Sequence, residues 1–389
     1  MMEMKKYINN TVKVIPPSGI RKFFDLVSQM EGVISLGVGE PDFVTPWHVR
    51  EAAFYSLEQG ETMYTSNHGL LELRQEIAAY EKRKIGVEYN PENQILVTIG
   101  VSEAVDLALR SLLEPGDEVL VPEPSYVSYG PGALLAGGQP VAVQTFDSDQ
   151  YRLQPGALKD HITPRSKVLI LAYPNNPTGG IMYKEDLEAL VDIIVDNDLI
   201  VISDEIYSEL TYEGKHVSIA SLPGMKDRTL VLDGFSKAFA MTGWRVGYAC
   251  GHADLIAAMT KIHQYTIMCA PIMGQKAAIE ALRHGEGEMR KMVDDYNCRR
   301  RIMLTGLREI GLDCFEPRGA FYCFPSIKRT GMSSEEFCER LLAEEKVAVV
   351  PGNAFGSQGE GFIRCCYAAS IANIEEALER MGRFINRHK

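Results

Sequence analysis

The sequence predicts an α/β fold: a large unit with a mostly parallel seven-stranded sheet covered by helices, plus a smaller α+β unit built from N- and C-terminal segments. Three observations carry this. From about Asn93, short β-branched runs alternate with polar or glycine-rich turns and helical patterns, as parallel strands with crossover helices require. Several runs are apolar throughout, as strands covered on both faces should be. After about Gly285 the texture changes to one long charged helical pattern followed by short strand candidates.

In chain order, residues 1–14 read as an N-terminal arm and 15–46 as the first part of the small unit. The large unit covers 47–285. Its strand candidates are 95–99, 118–121, 141–145, 167–172, 199–202, 229–232 and 246–250. Between them, "SEAVDLALRSLL" (102–113) and "KEDLEALVDIIV" (184–195) repeat apolar residues at helical spacing. The small unit resumes over 286–389. "EMRKMVDDYNCRRRIMLTGLREIG" is a long helix, 320–324, 348–350 and 362–366 are strands, and a last helix starts near Ile374.

With 389 residues, the chain is long enough for two or three compact units and a large core. Apolar residues make up 46% and charged residues 24%, and no run approaches the ~20 apolar residues of a membrane span. The start "MMEMKKYINN" lacks the apolar core of a secretory signal, so a cytoplasmic protein is expected. A formal charge of −12 argues against a nucleic-acid partner. The basic clusters "EKRK", ending at Lys84, and "NCRRR", ending at Arg301, read as solvated helix faces. The eight cysteines include no C-x-x-C pair and the eight histidines are scattered, so reduced, mostly buried thiols and no metal site are expected.

Function is sought at the strand ends, because open parallel sheets bind ligands outside their carboxyl edge. There stand Gly100-Val101-Ser102, Ser125-Tyr126, the turn "YPNNPTG" with Asn176, "SDEIY" with Asp204 and Tyr207, and "GFSK" with Lys237. Each has a plainer reading: a strand-to-helix turn capped by Ser102, an Asn-Pro turn, a helix cap at Asp204, core-edge tyrosines. Lys237 resists one. It lies between two apolar strands, where an ammonium is costly unless paired, neutralised or used covalently. Together the edge offers an anion seat, an aromatic face, a carboxylate and a lysine. That set fits a phosphorylated aromatic aldehyde: the lysine forms an imine, the carboxylate keeps a ring nitrogen protonated, and a helix start holds phosphate. Pyridoxal 5'-phosphate meets all three descriptions.

The motifs "SLGVGEPDF", "YPNNPTG", "SDEIYSELTY", "GFSKAFAMTGWRVGY", "PRGAFYCFP" and "VAVVPGNAFG…EGFIRCCYA" occur in this order. By them the chain resembles the fold-type I, class I pyridoxal-phosphate aminotransferases, in the branch with aspartate, aromatic and acetyl-diaminopimelate enzymes, over nearly its whole length. The resemblance implies that Lys237 forms the imine and later moves the substrate proton. Asp204 would pair with the ring nitrogen, Tyr207 and Asn176 would bond the ring 3-oxygen, and Tyr126 would stack on the ring. Arg245, Val101 and Ser102 would hold phosphate. Relatives carry a serine three residues before the lysine; Gly234 stands there, so Ser236 is the substitute. Arg364 would clamp the substrate α-carboxylate, assisted by Asn176 and the backbone of Gly39. Tyr64 would reach the phosphate of a second subunit, making a homodimer with shared sites. "PPSGIRKFF" (16–24) would fold over the substrate, with Ser18, Gly19 and Ile20 as contacts and Arg21 either in the pocket or facing solvent.

The expected activity is amino transfer from an aspartate or aromatic donor to 2-oxoglutarate, with acetyl-diaminopimelate as the alternative donor. A lyase or cyclopropane-forming synthase of the same fold shares the lysine, so product analysis separates it. A regulatory protein sensing a ligand through this domain would carry a basic helix-turn-helix extension, for which the roughly twenty residues before the pattern leave no room.

Overall fold

The computed structural model describes residues 4–17 and 30–388. A short first strand, β1 (Ile34–Ser35), precedes the seven strands of the main sheet: β2 (Ile95–Thr98), β3 (Glu118–Glu123), β4 (Gln139–Gln144), β5 (Ser166–Ala172), β6 (Ile200–Asp204), β7 (Thr229–Gly234) and β8 (Gly247–Cys250). Their order is β2-β8-β7-β6-β5-β3-β4. All seven expected runs are strands, with their ends shifted by two residues or fewer.

Side chains alternate between the two covered faces. Val168 and Ile170 of β5 pack under the helices Gly100–Leu112 and Ala253–Thr266, while Leu169 and Leu171 pack against Lys184–Asp196. Both sets are almost fully buried, which is why β5 reads as a continuous apolar run.

One strand departs from the parallel pattern. β8 lies antiparallel to both β7 and β2. The link from β7 to β8 holds only turns and the 3-10 turn Thr242–Trp244, and without a crossover helix the chain can only double back. Two reversals cancel, so β2 again runs parallel to β7. Its carboxyl end therefore reaches the same edge as those of β5, β6 and β7.

The small unit holds an antiparallel sheet in the order β11-β12-β9, from β9 (Tyr322–Cys323), β11 (Val350–Pro351) and β12 (Ile363–Cys366). A further strand, β10 (Val347–Ala348), pairs in parallel with β1, tying the front of the chain to its end. The long helix Glu286–Glu309 and the last helix Ile371–Arg387 pack together beside them.

The two basic clusters are not simply solvated faces. The Lys84 side chain is buried, paired with Glu81 at 2.8 Å and with Asp233. Arg299 and Arg300 are buried too, Arg299 on Asp42 and Asp295, Arg300 on Glu316 and the Pro317 carbonyl. A run of like charges placed on a helix turns some members inward every third or fourth residue, and those need buried counter-charges. Of the eight thiols, Cys250, Cys323, Cys338, Cys365 and Cys366 are buried, Cys269 and Cys314 half-buried and Cys298 exposed. Among the described residues no helix is long and apolar enough to cross a membrane and no metal-binding cluster exists.

Candidate active site

The bend between β7 and β8 places Lys237 at the carboxyl edge of the sheet. Its Nζ donates to the Gly39 carbonyl at 2.7 Å and closes no ion pair among the described residues. Burial pulls its pKa down to about 8, helped by the nearby Arg364 and Arg245, against the opposing pull of Cys366 and Glu40. At pH 7 roughly a tenth of such a lysine is neutral, some hundreds of times more than for an ordinary one.

Asp204 is the last residue of β6. No helix follows it, so the capping alternative fails; residues 206–209 form turns. Its carboxylate accepts hydrogen bonds from the Tyr129 hydroxyl at 2.7 Å and the Ile206 N–H at 3.2 Å. Burial raises it to about 6, and these two bonds hold it from rising further. The Tyr126 ring meets Tyr129 edge-on, with centroids 5.6 Å apart.

In the "NNPTG" turn two neighbouring asparagines divide the work. Asn175 builds the turn, its Oδ1 accepting from the Thr178 N–H and hydroxyl. Asn176 faces the site, where its Oδ1 accepts from Arg364 Nη1 at 2.9 Å. Arg364, on β12, also donates from Nη2 to the Gly37 carbonyl at 2.6 Å, while its Nε is buried without a partner. The guanidinium is stacked over the rings of Tyr322 and Phe355, at 4.4 and 4.9 Å, and no carboxylate pairs with it among the described residues. The small-unit carbonyl on Arg364 is thus that of Gly37, whereas the carbonyl of Gly39 receives Lys237. The Tyr207 hydroxyl lies 2.7 Å from that of Tyr322.

The helix Gly100–Leu112 opens with Gly100 at φ +70°, so its first amides turn toward the same edge. Ser102 is not the cap; it is the third helical residue, and exposed, while Val101 is buried. A Cβ on Gly100 would run into the Arg245 guanidinium, which therefore lies directly over the helix start. Arg245 is exposed, donates to the Thr242 carbonyl at 3.0 Å and pairs with no carboxylate among the described residues. An unpaired guanidinium over free helix amides is an anion seat. Gly234 departs from serine for a packing reason: a Cβ there would lie 2.9 Å from Gly247 Cα and 3.0 Å from the Val246 carbonyl. Ser236 is buried on the same bend. Tyr64 is 81% exposed, away from these contacts, and Ser18, Gly19, Ile20 and Arg21 lie outside the described residues.

Sequence reasoning missed Tyr129, Tyr322 and Gly37. Tyr322 sits in an apolar run where it reads as core, Tyr129 lies in "SYVSYGPG" with nothing beside it in sequence to mark its hydroxyl, and the role of Gly37 depends on the chain's two ends meeting. The residues present suit pyridoxal phosphate: an anion seat, a half-buried aromatic ring, a buried carboxylate without a cation and a half-buried lysine without an anion.

An edge gathering a lysine of lowered pKa, a guanidinium without a carboxylate partner and an anion seat is suited to chemistry on a charged small molecule. Comparison with known proteins gives the family. The family model described as aminotransferase class I and II matches residues 31–381, and the chain belongs to that family. YugH of Bacillus subtilis is 52% identical over 99% of this chain and 100% of its own. An aspartate aminotransferase of Pyrococcus abyssi is 45% identical, covering 98% of this chain and 99% of that one. The crystal structure of an aromatic aminotransferase from Pyrococcus horikoshii matches with a TM-score of 0.90 at 44% identity, over 94% of this chain and 99% of that one. The chain is an amino-acid aminotransferase, and its family uses pyridoxal phosphate.

Proposed function

We propose that this enzyme uses pyridoxal phosphate to pass the amino group of an aspartate or aromatic amino acid to 2-oxoglutarate in a ping-pong cycle, as a cytoplasmic homodimer with shared sites. One observation carries the reading of the site. Lys237, half-buried, and Asp204 and Arg364, buried, are three ionisable groups of both signs at one edge, and none closes an ion pair among the described residues. A fold tolerates such groups where a ligand completes them.

Bound there, the cofactor supplies an aldehyde for the amino group and a ring that withdraws electrons from the substrate α-carbon. The protein does the rest. Lys237 Nζ is the nucleophile and then the base that moves the proton at that carbon. Asp204 holds a proton on the ring nitrogen, and Tyr207 and Asn176 bond the ring 3-oxygen. Tyr126 covers the ring face. Arg245, Ser102, Ser236 and the amide of Val101 hold the phosphate. Arg364, on the small unit (15–46 with 286–389), presents its free Nε to the substrate α-carboxylate, with Gly39 and Ile20 beside it. Lys237 and Asp204 belong to the large unit, 47–285.

The pocket for the side chain is left broad by this reading, since both aspartate and aromatic enzymes stand among the relatives. Purified holoenzyme is titrated with single amino acids while the cofactor absorbance is followed, then assayed with 2-oxoglutarate. Conversion with both aspartate and phenylalanine is expected. Response to an acetylated diamino acid alone would replace the donor assignment, and release of ammonia or a cyclised product would replace amino transfer with lyase or synthase chemistry.

A further inference from the structure

Tyr322 is 1% exposed and lies at the centre of the groups just described. Its hydroxyl is 2.7 Å from that of Tyr207, and its ring lies 4.4 Å beneath the guanidinium carbon of Arg364. A Cβ on Gly39, whose carbonyl accepts from Lys237, would run into the same hydroxyl. The ring is fixed edge-on by Phe321 and Tyr207, at 4.9 and 5.8 Å between centroids. The titratable groups that face it are Arg364, Cys366, Tyr207 and Tyr126.

We propose that Tyr322 is a positioning residue that joins the two halves of the site: its hydroxyl aims the Tyr207 hydroxyl, and its ring holds the Arg364 guanidinium in place for a carboxylate. This rests on the roles given to Tyr207 and Arg364 above. A phenol has one proton. If Tyr207 spends its own on the ring 3-oxygen, the bond between the two hydroxyls must be donated by Tyr322. Tyr322 can do so, because burial keeps it a neutral phenol. Donation into Tyr207 polarises it and strengthens its own donation onward. The ring acts separately. A guanidinium stacked on an aromatic face is held flat while keeping its edge nitrogens free.

The test separates hydroxyl from ring. Tyr322→Phe keeps the ring and drops the hydroxyl; Tyr322→Leu drops both. In the holoenzyme, the pH midpoint of the cofactor absorbance change is measured, together with the dissociation constant of 3-phenylpropionate, a carboxylate without an amino group to react. A weaker bond to an ionised ring oxygen leaves it more basic, so Tyr322→Phe is expected to raise the midpoint by about half a pH unit. Its 3-phenylpropionate affinity should stay within about twofold of wild type, while Tyr322→Leu weakens it by about tenfold or more. In a Tyr207→Phe background, Tyr322→Phe should move the midpoint no further, and this pair keeps the test sharp if the leucine variant does not fold. An unmoved midpoint in Tyr322→Phe, or shifts that add in the double variant, overturns the proposal. Failure of Tyr207→Phe itself to move the midpoint, or of Arg364→Lys to weaken 3-phenylpropionate, strikes instead at the underlying roles and removes the proposal with them.

Discussion

At the scale of the residue, Lys237 carries the most specific expectation. In the proposed role Lys237 must act as a neutral amine, and burial brings its pKa down to about 8. The rate at which cofactor-free protein takes up pyridoxal phosphate should therefore climb with pH to about 8 and then level off. A rate still climbing toward pH 10 would mean an ordinary lysine. Lys237→Ala should abolish both turnover and the absorbance that borohydride removes. Arg364 is the second case. Its fork already serves Asn176 and Gly37, leaving Nε for a ligand, and a lysine cannot make these three contacts at once. Arg364→Lys should cut kcat/KM roughly ten- to a hundredfold for every donor alike, from a charge-assisted bond of about 1.5–3 kcal/mol. A loss confined to one donor would place Arg364 against a side chain instead. Both residues were legible in the sequence, Lys237 by its isolation and Arg364 only through family motifs. Tyr129 and Tyr322 were not, since the neighbours of a tyrosine in sequence give no sign of which way its hydroxyl points.

At the scale of the element, the strands were legible because burial on both faces writes itself into composition. Val168 through Leu171, β-branched or leucine throughout, read as a covered strand, and the structure buries all four. Direction was less legible: β8 is apolar like its neighbours, and only the missing crossover helix before it marks it as antiparallel. The helix Leu71–Ile85 was misread at Lys84, because charge content says nothing about which member of "EKRK" faces inward. That inward charge has a measurable consequence. Lys84 joins the helix to Asp233 near the end of β7, with Glu81 and Tyr248 in the same buried network. Lys84→Met would leave carboxylates buried without their cation, which costs about 3–5 kcal/mol. Urea unfolding should show that loss, while Lys82→Met, at an exposed position of the same turn, should be neutral. Equal midpoints for the two variants would show that Lys84 is as solvated as its neighbour. The bend at Gly234 allows a related test. Gly234→Ser supplies the hydroxyl that the family resemblance leads one to expect there but forces β7 and β8 apart, so it should lose about 1–3 kcal/mol of stability with no gain in cofactor affinity.

At the scale of the whole molecule, the distribution of apolar surface decides the argument. Trp47, Phe54 and Tyr55 stand more than half exposed along one helix, and Met63, Tyr64 and Tyr265 more than four-fifths exposed. The last three share a rim, since Asn67 donates to Gln264 and Gln275 donates to Thr65. Exposed apolar residues in such numbers suggest an interaction surface, and a second copy of the chain is the occupant proposed for it, one that would give Tyr64 a role. If Tyr64 of one subunit serves the phosphate of the other, the two defects Lys237→Ala and Tyr64→Phe should complement. In a hybrid dimer one site receives both substitutions, whereas the other keeps its own Lys237 and borrows an intact Tyr64. Mixed subunits, refolded together and assayed at limiting pyridoxal phosphate, should recover cofactor affinity like that of wild type in about half of the hybrid sites, although neither parent shows it. Activity equal to the plain sum of the two parents would place each Tyr64 outside its neighbour's site, and a monomer by light scattering at assay concentration would remove the shared site altogether.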